Sequence, residues 1–292
     1  MNTTGLIVGK FYPLHQGHLH MILSASLEVD MLHVFVCSET ARDHELFLES
    51  AFTKTPTSED RIEWAKISLS EIPNIKVHGF NEDGIPSYPN GWEAWSDRLK
   101  DTLAEKSIAP TLIFSSEPQD KAFYETHFGV QVKLVDPPRD AFPVSATKIR
   151  TTPFQYWTFI PTIIRPFFTK IILVETDSIQ PKLLMMIQKL YNTVEVPAFP
   201  KIQFIAINHD NLEPILESQM RDNRIISAII ASPALIKQYQ KKSSQTQQIH
   251  SLVLQGSIHH HNLAEHSHSS ELITRQQFQK AQLFINDILK ES

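Results

Sequence analysis

The chain has 292 residues, 41% hydrophobic and 20% charged, with a formal net charge of -5. That length suits one large or two ordinary domains, and the acidic balance argues against a non-specific nucleic-acid binder, which needs a cationic surface to displace counterions. A single cysteine, Cys37, excludes an internal disulfide and makes a reducing compartment the expectation; within its apolar run it reads as a buried structural thiol.

The first residues, Met1 to Gly5, lack the basic head and long apolar run of a secretory signal. The first half then alternates β-like runs with amphipathic stretches. Strands are expected at Gly5 to Gly9, Met31 to Ser38, Ile75 to Phe80, Thr111 to Ser115 and Gln131 to Val135. Helices are expected near Gly17 to Val29, Ser58 to Ile72, Gly91 to Lys106 and Gln119 to Phe128. Ser58, with Asp60 and Arg61 behind it, has the hydroxyl cap and early acidic residue of a helix start. This alternation predicts βαβ units in a parallel sheet, an α/β, Rossmann-like domain over residues 1–150. Such a sheet takes ligands at the carboxyl ends of its strands.

From Thr151 to Phe168 the chain carries Pro153, Pro161 and Pro166 among many aromatics. Proline disfavours helix at and before itself, and a flexible linker would hardly be so aromatic, so 151–168 reads as a packed connector. The most apolar stretch, Phe159 to Val174, is interrupted by Pro161, Arg165, Pro166 and Lys170. A membrane-spanning helix needs roughly 20 mainly apolar residues, so the expectation is a soluble, cytoplasmic chain without a membrane partner.

Beyond the connector a second, smaller α/β domain is expected over 169–292. Its strands are Lys170 to Glu175, Ile202 to Ile207, Ile225 to Ala231 and Ser251 to Leu254. Its helices are Pro181 to Tyr191, Leu212 to Arg221, Pro233 to Lys241 and Glu271 to Leu289. Five histidines, His259, His260, His261, His266 and His268, fall between its last strand and helix. Neutral imidazoles can ligate zinc, but nothing orients them on a loop, and the stretch reads as solvated; no protein metal site is expected.

Two motifs carry chemistry. The first runs from Gly9 to His18, after the first strand and into the first helix. Gly9 ends the strand, Pro13 directs a turn, and Gly17 lets the backbone approach a phosphate. His15 and His18, three residues apart, can face one anion together, with the free N–H groups and positive potential of the helix N-terminus behind them. The second motif is Val144-Ser145-Ala146-Thr147-Lys148-Ile149-Arg150. There Ser145 can cap a helix while Thr147, Lys148 and Arg150 converge on phosphate, for which the planar guanidinium fork is suited.

Together, His15-Gln16-Gly17-His18 and Ser145 to Arg150 resemble the paired His-x-Gly-His and Ser-x-Thr-x-x-Arg motifs of the nucleotidylyltransferase superfamily. The resemblance is closer to NadR-type nicotinamide-nucleotide adenylyltransferases, which pair such a domain with a ribosylnicotinamide kinase domain. It extends through Val36 to Asp43, Glu82 to Trp95, Phe114 to Ala122 and Ser145 to Phe168. It implies direct transfer of the AMP moiety of ATP, with Mg²⁺, to nicotinamide mononucleotide (NMN), giving NAD and pyrophosphate. His18 would contact the α-phosphate; His15, Lys10 and Arg150 would hold the β- and γ-phosphates; Gly9, Phe11, Gly17, Ser145 and Thr147 would complete the ATP site. Nicotinamide recognition would fall in Tyr88 to Trp95, with Trp92 stacking on the ring, Asn90 at the amide and Trp95 as second aromatic. Arg61 is a candidate phosphate contact or an ordinary surface arginine. The implied partners are ATP, NMN and NAD, and a homo-oligomer is compatible with the sequence.

The resemblance fails in the second half. Where the kinase has a phosphate loop ending Gly-Lys-Ser, this chain has Ile179, Gln180 and Pro181, preceded by Glu175 and Asp177. That removes backbone freedom, cation and Mg²⁺ ligand together. No Asp-x-Asp pair follows the next strand, so kinase activity is expected to be lost. Two alternatives are a different phosphate monoester as acceptor, such as phosphopantetheine or FMN, and a nucleotide-sensing or interaction role for the second domain. The Tyr88 to Trp95 segment argues against the first.

Overall fold

A computed structural model of the chain describes residues 3–86, 90–176, 179, 181–191, 200–221, 226–242, 250–254 and 266–290. Contacts divide it into two compact units, Met1–Ala51 with Thr55–Ile164, and Phe52–Lys54 with Arg165–Ser292. Of the expected connector, residues 151–164 therefore group with the first unit and 165–168 with the second.

In the first unit the order is β1 (Thr4–Gly9), α1 (Gln16–Ser26), β2 (Met31–Ser38), α2 (Thr40–Leu48), α3 (Ser58–Ser68) and β3 (Ile75–Asn81). Then come α4 (Trp92–Glu105), β4 (Leu112–Ser115), α5 (Lys121–Phe128), β5 (Gln131–Leu134) and α6 (Ala146–Thr151). The five strands form one parallel sheet in the order β3-β2-β1-β4-β5. The central strands are buried on both faces, so Leu6, Ile7, Phe35 and Ile113 are fully buried, as a helix-covered parallel sheet requires. The chain leaves β1 toward β2 and returns to it at β4, so strand order reverses between β1 and β4. A sheet of this order takes ligands at the carboxyl ends of its strands, the end from which the first motif follows β1 and the second follows β5.

Two local features depart from expectation. Helix α2 was not foreseen: Leu46 alone is buried while Leu48 is exposed, and its start is set by Glu39, whose side chain accepts from the Arg42 N–H. Helix α3 does begin near Ser58, but its cap is Thr57, which forms a capping box with Asp60.

The second unit runs β6 (Lys170–Glu175), α7 (Pro181–Tyr191), β7 (Ile202–Ile207), α8 (Leu212–Arg221), β8 (Ile226–Ile230), α9 (Pro233–Lys242), β9 (His250–Leu252) and α10 (His266–Lys290). Its parallel sheet has the order β7-β6-β8-β9. Alternation along β6 supplies both faces. Ile172 and Val174 pack with Leu183, Ile187, Ala281 and Ile285 of α7 and α10; Ile171 and Leu173 pack with Leu212, Leu235 and Ile236 of α8 and α9. Helix α10 starts at His266, earlier than the expected Glu271. His259, His260 and His261, and the side chains of His266 and His268, lie outside the described residues. Among the described residues, no helix is long and apolar enough to cross a membrane.

Candidate active site

The β1–α1 loop is built around two ring contacts that need glycine. A β-carbon on Gly9 would lie 3.0 Å from the Phe11 ring, and one on Gly17 would lie 3.1 Å from the His15 ring, so a larger residue at either point would displace the aromatic beside it. Phe11 itself takes a left-handed backbone, φ 47°, unusual for a bulky residue and held by a side chain only 3% exposed. His15 caps α1: its Nδ1 accepts the His18 backbone N–H at 3.4 Å, which leaves its ring proton on Nε2. The two imidazoles stack at 3.7 Å between centroids, and Phe11 meets His18 edge-on at 5.0 Å.

Burial pushes both histidines toward the neutral form. For His15 burial acts first, followed by His18 and Arg139, and its proton affinity falls far below the usual range. For His18 burial and then Arg139 lower the pKa to about 3, against an opposing pull from Glu117. Both are therefore neutral imidazoles at pH 7, each with one N–H to donate. The His18 Nδ1 is buried and has no partner among the described residues.

The second motif docks on the same loop. Ser145 caps α6 by accepting the Lys148 N–H at 3.2 Å, and Val144 lies 3.6 Å from the β-carbon position of Gly17. Arg150 donates from one guanidinium nitrogen to the Tyr12 carbonyl at 2.6 Å and from the other to the Thr147 hydroxyl at 3.1 Å. Burial first, and then the charge of Arg42, lower the Arg150 pKa against an opposing pull from Tyr12 and Glu49. The structure thus brings His15, His18, Ser145, Thr147 and Arg150 onto one end of the sheet. Lys148 turns aside, its ammonium 5.7 Å from the Tyr156 ring centroid.

Lys10, the residue after β1, faces two carboxylates, Asp43 at 3.0 Å and Glu82 at 3.4 Å. Arg61 matches neither of its sequence readings. It is fully buried, donates to the carbonyls of Lys10 and Cys37 at 2.7 Å each, and pairs with Asp43. It ties the carboxyl ends of β1 and β2 to α2 and α3, and does not line the neighbouring cavity. Cys37 is buried as expected, and burial with Glu82 raises its thiol pKa, keeping it protonated.

Beside this loop lies a cavity of about 700 Å³ whose walls include Gly9, Lys10, Arg42, Glu82, Trp92 and Trp95. Its far wall comes from Asp120 and Tyr124 after β4. Trp92 stacks on Phe123 at 4.7 Å with planes 4° apart, and its Nε1–H is buried without an acceptor among the described residues. The Trp95 Nε1–H instead donates to Glu82 at 2.7 Å. Asn90 is exposed and not among the lining residues, and Tyr88 lies outside the described residues. His15, His18 and Arg150 adjoin this cavity through Gly9, Phe11 and Tyr12 rather than lining it.

Sequence reasoning assigned no role to Arg42, Asp43, Glu82, Glu117, Asp120 or Arg139. Arg139, with a left-handed backbone at φ 60°, pairs with Glu117 at 2.7 Å and depresses the proton affinity of both histidines. Its signal, a lone arginine in a proline-rich loop, is silent until β4 and β5 bring that loop beside α1.

In the second unit, the carboxyl end of β6 is occupied by protein groups. Glu175, 4% exposed, accepts from the Ser232 N–H and, at 3.0 Å, from its hydroxyl. Ile179 is buried in the core with Leu183 and Ile187, and Pro181 opens α7 directly. Asp177 and Gln180 lie outside the described residues.

The two parallel sheets with helices between their strands define a Rossmann-like α/β fold followed by a second α/β unit. No family model matches the chain. Over 168 residues, 58% of its length, it is 44% identical to the trifunctional NAD biosynthesis/regulator protein NadR of Escherichia coli (strain K12). Over 166 residues it is 43% identical to the protein of the same name in Salmonella typhimurium. These stretches are 41% and 40% of those relatives, so the chain matches less than half of their length. Among solved structures, its fold is similar to that of NadR protein in complex with NR, with TM-score 0.64, 18% identity, and coverage of 95% of this chain and 96% of that one. A complex of NadR protein with NAD and AMP-PNP gives TM-score 0.61 at the same identity.

Proposed function

We propose that the first unit transfers the AMP moiety of ATP to NMN, giving NAD and pyrophosphate. The observation that carries this reading is the 2.6 Å bond from Arg150 to the Tyr12 carbonyl, which holds the Ser145–Arg150 turn against the loop bearing both histidines. An oxygen of the NMN 5′-phosphate forms the new bond to the α-phosphorus as the bond to pyrophosphate breaks. No protein nucleophile is needed, and the rate comes from positioning and charge stabilisation.

In this reading the His18 ring N–H faces the α-phosphate, where charge accumulates. His15 and Arg150 hold the outer phosphates, with Ser145 and Thr147 beside them at the N-terminus of α6. Lys10 joins them by exchanging one of its carboxylate partners for a phosphate oxygen. An arriving triphosphate also reverses the local field, so it raises the proton affinity of both imidazoles. Mg²⁺ enters with ATP as its counter-ion; among the described residues no group of three or more metal-ligating side chains occurs. Trp92 is the stacking face for the nicotinamide ring, with Trp95 next to it, and an N–H lacking an acceptor in an aromatic wall supports a bound ligand there.

The second unit, in this proposal, no longer phosphorylates nicotinamide riboside. A phosphate loop needs glycine backbone and a lysine, whereas Ile179 belongs to the apolar core and Glu175 places a carboxylate at the strand end. The test is to offer purified protein ATP and Mg²⁺ with NMN, FMN or phosphopantetheine and to measure pyrophosphate release. Turnover is expected with NMN alone; turnover on another acceptor and none on NMN overturns the reading.

A further inference from the structure

The cavity beside the β1–α1 loop carries a charge pattern that the adenylyl-transfer reading does not use. Four carboxylates line it, Glu39, Glu45, Glu82 and Asp120, against two cations, Lys10 and Arg42. Three of the four are already engaged. Glu82 takes the Trp95 N–H and faces Lys10, Glu45 pairs with Arg42, and Glu39 caps α2. Asp120 has no hydrogen-bond donor on its carboxylate among the described residues. It stands at the aromatic end, on the turn that leads into Phe123 and Tyr124, whose rings pack on Trp92.

We propose that Asp120 is the residue that selects a pyridine carboxamide over a pyridine carboxylate, by accepting the amide N–H and repelling an anionic substituent. This rests on the reading of the cavity as the mononucleotide site. A pyridinium ring with a neutral amide is a cation, which suits both the tryptophan face and an acidic wall. The same ring with a carboxylate is neutral overall and turns its negative end toward the wall. An amide N–H has an acceptor waiting in Asp120, whereas a carboxylate brings a second anion up against it. Asp120 already sits in such a field: burial first, and then Glu117, raise its pKa.

The experiment measures kcat/KM for NMN and for nicotinate mononucleotide with wild type and Asp120→Asn, alongside quenching of tryptophan fluorescence by each mononucleotide alone. Asparagine keeps the volume and an acceptor oxygen but adds a donor and removes the charge. A hydrogen bond to a charged group is worth roughly ten- to a hundred-fold. The wild type is therefore expected to favour NMN, and Asp120→Asn to narrow that preference about ten-fold or more, with kcat/KM rising for the nicotinate form. Parallel losses on both substrates, or a wild type that prefers the nicotinate form, overturn the role of Asp120 while leaving adenylyl transfer standing. A wild type that turns over neither mononucleotide, and whose tryptophans respond to neither, removes the reading of the cavity itself.

Discussion

His15 and His18 are uncharged donors, because burial outweighs every other influence on them. What they offer an anion is two directed N–H groups at a helix N-terminus, supported by Arg150 and Arg139 as the nearby fixed positive charges. Removing a donor aimed at transition-state charge costs on the order of 10²-fold, so His18→Ala is expected to lower kcat by about that factor without a matching loss of thermal stability. An unchanged rate would exclude His18 from the reaction. At this scale the meeting of the two motifs was legible through the family resemblance, since His15, His18, Ser145, Thr147 and Arg150 belong to its paired signatures, and the Arg150 bond to the Tyr12 carbonyl brings the two stretches together. Asn90 was not legible in the same way: its place in the Tyr88–Trp95 segment gave no sign that it would be exposed and outside the cavity wall. Asp120 and Arg139 stayed hidden because single charged residues in loops carry no pattern.

Between elements, the misread residue is Arg61. Its bonds reach the Lys10 and Cys37 carbonyls and Asp43, acceptors contributed by the ends of β1 and β2 and by α2. Nothing in the local sequence of α3 announces them. Helix α2, which supplies Asp43, was itself missed because its exposed polar faces give almost no apolar rhythm. Taking away one partner of a buried ion pair costs about 3–5 kcal/mol. Arg61→Ala should therefore lower the urea unfolding free energy by roughly that amount; a loss under about 1 kcal/mol would mean that these bonds are dispensable.

The β2–β3 pair carries a second element-scale device. His33 Nδ1 and His78 Nε2 lie 3.0 Å apart, so one must donate and the other accept. Burial first, then His33 and the neighbouring cations Lys106, Lys76 and Lys66, lower the His78 pKa to about 4, and burial with Lys76 lowers that of His33. An unfolded histidine titrates near 6.5, so between that value and about 4 the unfolded chain binds more protons. The pair's contribution to stability is complete above pH 6.5 and declines as the pH falls toward 4. The urea midpoint should be lower at pH 5 than at pH 7, and His78→Gln should shrink the difference. An equal difference in the variant would place the titrating groups elsewhere.

At the scale of the whole chain, two successive βαβ arrays were readable from alternation alone, because buried parallel strands are continuous apolar runs and their helices amphipathic. The strand orders, β3-β2-β1-β4-β5 and β7-β6-β8-β9, were not readable, since nothing local dictates which strand returns to which edge. The second unit keeps the fold while its β6 terminus is filled by Glu175, Ser232 and Ile179. Incubation with ATP and nicotinamide riboside is expected to give no NMN, and detectable phosphorylation would contradict the proposed loss of the kinase.

Transfer of the α-phosphorus is the step on which the proposed chemistry depends. ATP labelled at that position, with Mg²⁺ and NMN, should pass its label into NAD with one pyrophosphate released per NAD formed, and His18→Ala should slow this without diverting the label. Label that stays in adenine mononucleotides or diphosphates, with no labelled dinucleotide formed, would contradict it.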